Sequence, residues 1–251
     1  MIRTTIAVEA RKALYSTVLT TTTALLTLGI TALAVVMALG ARAGNEQVVA
    51  QLGPMGELEG WPLLMGIVFQ IAAAAVLLGF GTALSWIFGR EFMDGTISGL
   101  FALPASLQAI AFAKLVVFLL WSALIALLVT AAILVAGLAL GLGFPGLFDL
   151  AALSRLFVLV IGSGLLAIPA AWAATLGRGL LPGIAVSVIL VASAQFAVVA
   201  GSGAWYPIAA PTFWAMDPAA VTGWQLGLVP AVGLVFTLAT VWTWRGLQLD
   251  R

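Results

Sequence analysis

Apolar residues run almost without a charge through six stretches, about 17–40, 61–88, 115–142, 152–176, 182–201 and 224–244, and the polar and charged residues collect between them. Each run is near or above the ~20 residues with which a helix crosses a ~30 Å hydrocarbon core. None of them alternates with period two, which argues against a barrel. Helices satisfy their own backbone polar groups in lipid, so the pattern predicts six transmembrane helices. The expected fold is an all-α membrane protein, a single transmembrane domain over 1–251.

The connecting segments add three features. Residues 2–14 place Ile2, Ile6, Ala10, Ala13 and Leu14 on one helical face, with Glu9, Arg11 and Lys12 elsewhere and Arg3 spoiling the pattern slightly. This predicts an interfacial amphipathic helix, the alternative being a frayed polar start to span 1. Between spans 5 and 6, Gly201–Trp224 holds Pro207, Pro211 and Pro218 with Trp205, Tyr206, Phe213 and Trp214. Proline prevents one continuous helix there, and the aromatics suit a membrane boundary. We expect short re-entrant helices, or otherwise an aromatic-belt loop. The third feature is the polar insert between spans 2 and 3, Gly89–Gln108.

Charge sets the expected orientation. Eight basic residues, Arg3, Arg11, Lys12, Arg90, Lys114, Arg178, Arg245 and Arg251, fall on the insert side, against Arg42 and Arg155 on the other. The positive-inside rule puts both termini and the insert in the cytoplasm. The first apolar run is too long for a signal h-region and no small-residue cleavage site follows it, so an uncleaved N-terminus is expected.

Composition narrows the function. The chain is 63% hydrophobic and 8% charged, with a net charge of +1 and neither Cys nor His. The charge balance does not favour a nucleic-acid partner. The missing residue types remove thiolate and imidazole chemistry and the usual zinc ligands. An intramembrane enzyme needs paired acids, Ser–His or metal ligands at depth, and the predicted spans offer none. Ion-coupled transporters place charge inside the membrane, which is nearly missing here. Energy for any transport is therefore expected to arrive through a cytoplasmic contact.

The insert suits that contact. Arg90, Glu91 and Asp94 fall in one helical turn around Phe92 and Met93, and Gly95-Thr96 ends or re-caps it. Ile97, Leu100, Phe101 and Leu103 restore an apolar face before Pro104, and Ser106 is placed to cap the helix carrying Lys114. We expect a short helix parallel to the membrane, a break and a re-entering helix, or otherwise a plain solvated connection.

The string FGREFMDGTISGLFALPASLQAIAFAKLV, Phe88–Val117, resembles the corresponding segment of ABC-2 type permeases, the membrane subunits of bacterial ABC exporters. The elements that match are Glu91-Phe92, Asp94-Gly95-Thr96, Leu103-Pro104-Ala105-Ser106 and Lys114. The six-span layout, the interfacial helix and the aromatic outer segment are similar as well. The resemblance implies a non-catalytic transport subunit of the bacterial inner membrane. Arg90, Glu91, Phe92, Met93, Asp94, Gly95 and Thr96 would form a coupling helix docked on a cytoplasmic ABC ATPase dimer. ATP and Mg would be bound by that partner, since this chain has no GxxxxGK[ST] loop. A second permease chain, identical or related, is expected to complete the pathway.

Resemblance also suggests that spans 2 and 5 border the cavity, which makes Met65, Phe69, Gln70, Gln195 and Phe196 its candidate lining. The alternative for the two amides is helix–helix hydrogen bonding, worth roughly 0.6–2 kcal/mol. Thr20–Thr23, Ser187 and Ser193 read as packing residues, Gly137/Gly141 and Gly223/Gly227 match small-xxx-small spacing, and Pro169 predicts a kink. The outer loops and apolar cavity candidates favour an amphipathic drug, peptide or lipid as cargo. The competing readings are a sensor or structural subunit bound to an ATPase, and an ion-coupled secondary transporter.

Overall fold

The computed structural model describes residues 2–248; Arg251, counted in the charge balance above, lies outside them. Among the described residues the chain is helical throughout, without strands, and six helices are long and apolar enough to cross a membrane. They are span 1, Thr17–Arg42; span 2, Gly60–Met93; span 3, Leu107–Ala139; span 4, Leu147–Leu176; span 5, Leu180–Val199; and span 6, Gly223–Arg245. An amphipathic helix, Ile2–Leu14, precedes span 1. Short helices occupy Glu46–Leu52, Ile97–Phe101 and Ala210–Met216.

Spans 2 and 4 form the centre of the bundle. Their inward faces carry Ile67, Phe80, Leu84 and Phe88 from one helix and Leu156, Val160, Leu166 and Ile168 from the other, all buried. The remaining spans pack around this pair, and span 5 leaves Val188, Ile189, Phe196 and Val199 outside. Pro169 lies within the helix of span 4, where the sequence predicts a kink, and the helix runs on through it to Leu176.

Three local features go beyond the sequence pattern. Span 1 widens into a π-helical turn at Leu25–Gly29. It follows a threonine run in which Thr20, Thr21 and Thr23 hydrogen-bond back to carbonyls three or four residues earlier, a habit that bends helices. Span 2 does not stop where its apolar run ends: its 34 residues reach Met93. At 1.5 Å per residue the helix is about 50 Å long, some 20 Å more than the hydrocarbon core. Arg90–Met93 therefore form its last turn and are not part of a separate helix. The separate helix of the insert is Ile97–Phe101, reached through Gly95 at φ +67°, and Ser106 caps span 3 by accepting from the Ala109 N–H. Finally, the amphipathic helix turns Glu9 inward with Ile6, Ala10 and Ala13 partly buried beside it, and leaves Ile2, Val8 and Leu14 exposed together with Arg3 and Arg11, so the apolar face read from the sequence is divided between the bundle and the outside.

Candidate functional site

The end of the bundle that carries the insert is held by four charged side chains from three distant segments. Glu9 comes from the amphipathic helix, Glu91 from the last turn of span 2 and Lys114 from the second turn of span 3. The Lys114 ammonium lies 2.9 Å from Glu9 Oε2 and 2.7 Å from Glu91 Oε1. Lys12 closes the square, 2.9 Å from Glu9 Oε1 and 3.4 Å from Glu91 Oε1. Thr96, at the start of the insert helix, donates its hydroxyl to Glu91 Oε2 at 2.6 Å. Two acids and two bases balance. That balance lets Glu91 and Lys114 each be only 2% exposed, because a buried charge survives where its partners satisfy it. Burial works against the Lys12 charge, but the carboxylates of Glu9 and Glu91 outweigh it and hold the ammonium above its ordinary pKa.

This placement divides the seven insert residues named from the sequence. The Glu91 carboxylate points inward and has no surface to offer a partner. Phe92 also turns in, its ring 6.3 Å from that of Trp244 in span 6. Trp244 is fully buried, packs edge-on to Phe88 at 5.6 Å and donates its indole N–H to Thr175 of span 4 at 3.0 Å. Arg90 lies over the Trp86 ring at 5.7 Å. Met93, Asp94, Gly95 and Thr96 are exposed, and Phe101 and Leu103 extend the exposed strip. Beside it, a groove of about 430 Å³ runs between the amphipathic helix and the insert, lined by Val8, Leu100, Leu103, Pro104 and Ile110.

The five cavity candidates divide as well. Met65 and Phe69 are buried in the chain's own core, where a large apolar side chain gains most from close packing. Gln70, Gln195 and Phe196 are exposed. The Gln70 amide lies 3.9 Å from the Met55 sulfur. Gln195 edges a pocket of about 70 Å³ with Ala73, Ala74, Leu77, Thr212 and Phe213.

Sequence reasoning missed how spans 2 and 5 meet. A Cβ added to Gly81 would strike Ser187, one added to Gly183 would strike Ser85, and one added to Gly89 would lie 2.7 Å from the Gly179 carbonyl carbon. The three pairs step by four residues in opposite directions, so the helices run antiparallel and in register along small residues. Ser85 and Ser187 bond back to the carbonyls of Gly81 and Gly183, which leaves no orphan hydroxyl in the seam. The signal was present as small-xxx-small-xxx-small spacing in both helices. Of the two glycine pairs with this spacing noted from the sequence, a Cβ added to Gly223, Gly227 or Gly141 would meet nothing within 4 Å, whereas one added to Gly137 would strike the Trp61 ring.

Residues 5–194 match the family described as "ABC-2 family transporter protein". Comparison with curated proteins gives no match.

Proposed function

Because the chain belongs to the ABC-2 family of transporter proteins, we propose that it is the membrane-spanning permease subunit of an ATP-binding-cassette exporter, driven by a separate cytoplasmic ATPase dimer. In this reading both termini and the insert are cytoplasmic, in the inner membrane of a bacterium. The surface for the ATPase is the exposed strip Met93, Asp94, Gly95, Thr96, Phe101 and Leu103. An apolar strip edged by an acid at the end of a projecting helix is the kind of patch that marks a protein partner. Glu91 and Phe92 then act behind the contact rather than in it. One ties the insert to the amphipathic helix and span 3, and the other ties it to span 6.

The observation that carries this reading is the two-sided construction of the insert. Its outer face is open, with Met93 59% exposed, while its inner face is locked by Glu91. A push on such an element moves the helices behind it instead of folding it over.

A second permease chain would cover the outward face of span 5, where Val188, Ile189, Phe196 and Val199 stand exposed. The pathway would lie between the two chains. Gln70, Gln195 and Phe196 are its candidate lining, now without Met65 and Phe69. Such a wall, mostly apolar with two amides, fits an amphipathic drug, peptide or lipid.

The docking surface is tested by co-purifying the ATPase with the permease. Asp94→Lys and Met93→Asp are expected to insert and fold as the parent does and to weaken ATPase capture about tenfold or more. Undiminished capture by both variants removes the exposed strip as the docking site.

A further inference from the structure

A cleft of about 30 Å³ lies between the amphipathic helix, the start of span 1 and the last turns of span 2. Its walls include Glu9, Lys12, Ser16, Trp86, Arg90 and Lys114. Three observations set it apart from the ion-pair square at its back.

The first is a charge left over. Glu9 and Glu91 are matched by Lys12 and Lys114, and among the described residues Arg90 enters none of the ion pairs. Its guanidinium rests on the Trp86 ring, where a cation gains only modestly. The second is an orphan donor. The indole N–H of Trp86 is buried and has no hydrogen-bond partner among the described residues, a costly condition unless something polar reaches it. Ser16 accepts from the Leu19 N–H at 3.4 Å as the cap of span 1, which leaves its own hydroxyl proton to give. The cleft thus gathers donors and, in Arg90, a cation without an ion pair among the described residues, while Glu9, the carboxylate in its wall, is already held by Lys12 and Lys114.

The third observation is position. Ser16 is the residue at which span 1 begins, so the cleft sits at the height where spans enter the bilayer. Leu14 and Tyr15, between the wall residues Ala13 and Ser16 in sequence, are each 80% exposed and free to anchor in lipid. Lipid phosphates lie at that height, and basic pockets between helices bind head groups there.

We propose that this cleft binds the phosphate of an anionic phospholipid from the leaflet on the insert side. Arg90 and the Trp86 N–H hold phosphate oxygens, and the acyl chains lie along the exposed side of the amphipathic helix. About 30 Å³ admits one or two oxygen-sized groups, so phosphate oxygens enter while the glycerol and chains stay outside. A guanidinium offers a forked pair of donors to phosphate, which a lysine at the same place would not. The site uses no residue of the exposed strip and does not depend on an ATPase.

The test uses the purified full chain alone, in detergent, by native mass spectrometry with phosphatidylglycerol and phosphatidylcholine of matched chains. The parent is expected to retain one phosphatidylglycerol in preference to phosphatidylcholine. Arg90→Gln and Trp86→Phe, the second keeping a ring but deleting the donor, are each expected to weaken retention about tenfold. Arg42→Gln, on the far side of the bundle, is expected to leave it unchanged. Equal retention of the two lipids by the parent overturns the proposal. So does unchanged retention in both cleft variants, or displacement of the lipid by inorganic phosphate at equal concentration, which would mark a site for a soluble anion. Should Arg90→Gln fail to fold, Trp86→Phe decides the matter alone.

Discussion

At the residue scale, Lys114 shows how this chain handles charge near lipid. Its ammonium is buried between the carboxylates of Glu9 and Glu91, 105 and 23 residues away in sequence. Removing one member of such a set leaves an uncompensated buried charge, which costs about 3–5 kcal/mol. Lys114→Met and Glu91→Gln are therefore expected to lower unfolding stability in detergent by about that amount. A loss below about 1 kcal/mol, the range of solvated surface pairs, would mean the square is wet and weak. Lys12 adds a pH signature. Its pKa is raised above the ordinary 10.5, so its contribution is complete below that value and fades only as the pH climbs through the higher one. A spin label on Val8→Cys, clean because the chain has no other cysteine, should therefore report an unchanged amphipathic helix from pH 6 to 9. Only one side of the square has a local spacing: Glu9 and Lys12 lie three residues apart on one helix. Their meeting with Glu91 and Lys114 is set by how three helices pack, which leaves no spacing in the sequence to detect.

At the scale of elements, spans 2 and 5 meet along a seam of close backbone approach. Helices in lipid gain little from apolar contact as such, so close backbone approach through small residues is what joins them. Gly81, Ser85 and Gly89 meet Ser187, Gly183 and Gly179 in turn. A side chain at Gly81 or Gly183 has nowhere to go. Gly81→Val is expected to destabilise by about 1–3 kcal/mol, the range of overpacked sites. Gly227→Val, in open space, is expected to change stability by less than about 0.5 kcal/mol, as surface substitutions do. Thermal unfolding of the two variants in the same detergent checks both, and equal losses would show that the seam can open without cost. The contrast explains what was legible. Existence and order of the six spans follow from run length alone, because lipid fixes how long an apolar helix must be. The far end of span 2 was not legible, since beyond the hydrocarbon core it is helical without being uniformly apolar, whereas the start of the span 3 helix was, because Ser106 caps it. Small-xxx-small spacing occurs at Gly81/Ser85 and at Gly223/Gly227 alike, and only the packed partner separates a seam from a coincidence.

For the whole molecule, the insert is tied to the bundle by two links of different chemistry that lead to different helices. Glu91 reaches the amphipathic helix and span 3 through ion pairs, while Phe92 reaches span 6, and through Trp244 and Thr175 span 4, by edge-on ring packing and one hydrogen bond. If the exposed strip receives the ATPase, binding and transmission belong to different residues and are separable by mutation. Trp244→Ala removes the fully buried ring that Phe88 and Phe92 pack against but leaves Met93 and Asp94 in place. It is expected to keep ATPase capture within about twofold of the parent, and to lose most of the nucleotide-dependent change in distance between spin labels placed on the insert and on span 6. Asp94→Lys should show the reverse order of failure, losing capture first. The cost of emptying the Trp244 site, about 3–5 kcal/mol, makes Trp244→Phe the companion variant, with most of the ring contact kept and only the bond to Thr175 lost. Trp244→Phe is expected to transmit nearly as the parent does. Should Trp244→Ala lose capture together with movement, the insert's open face and its buried anchor would be a single unit, and the division between contact and lever would not hold.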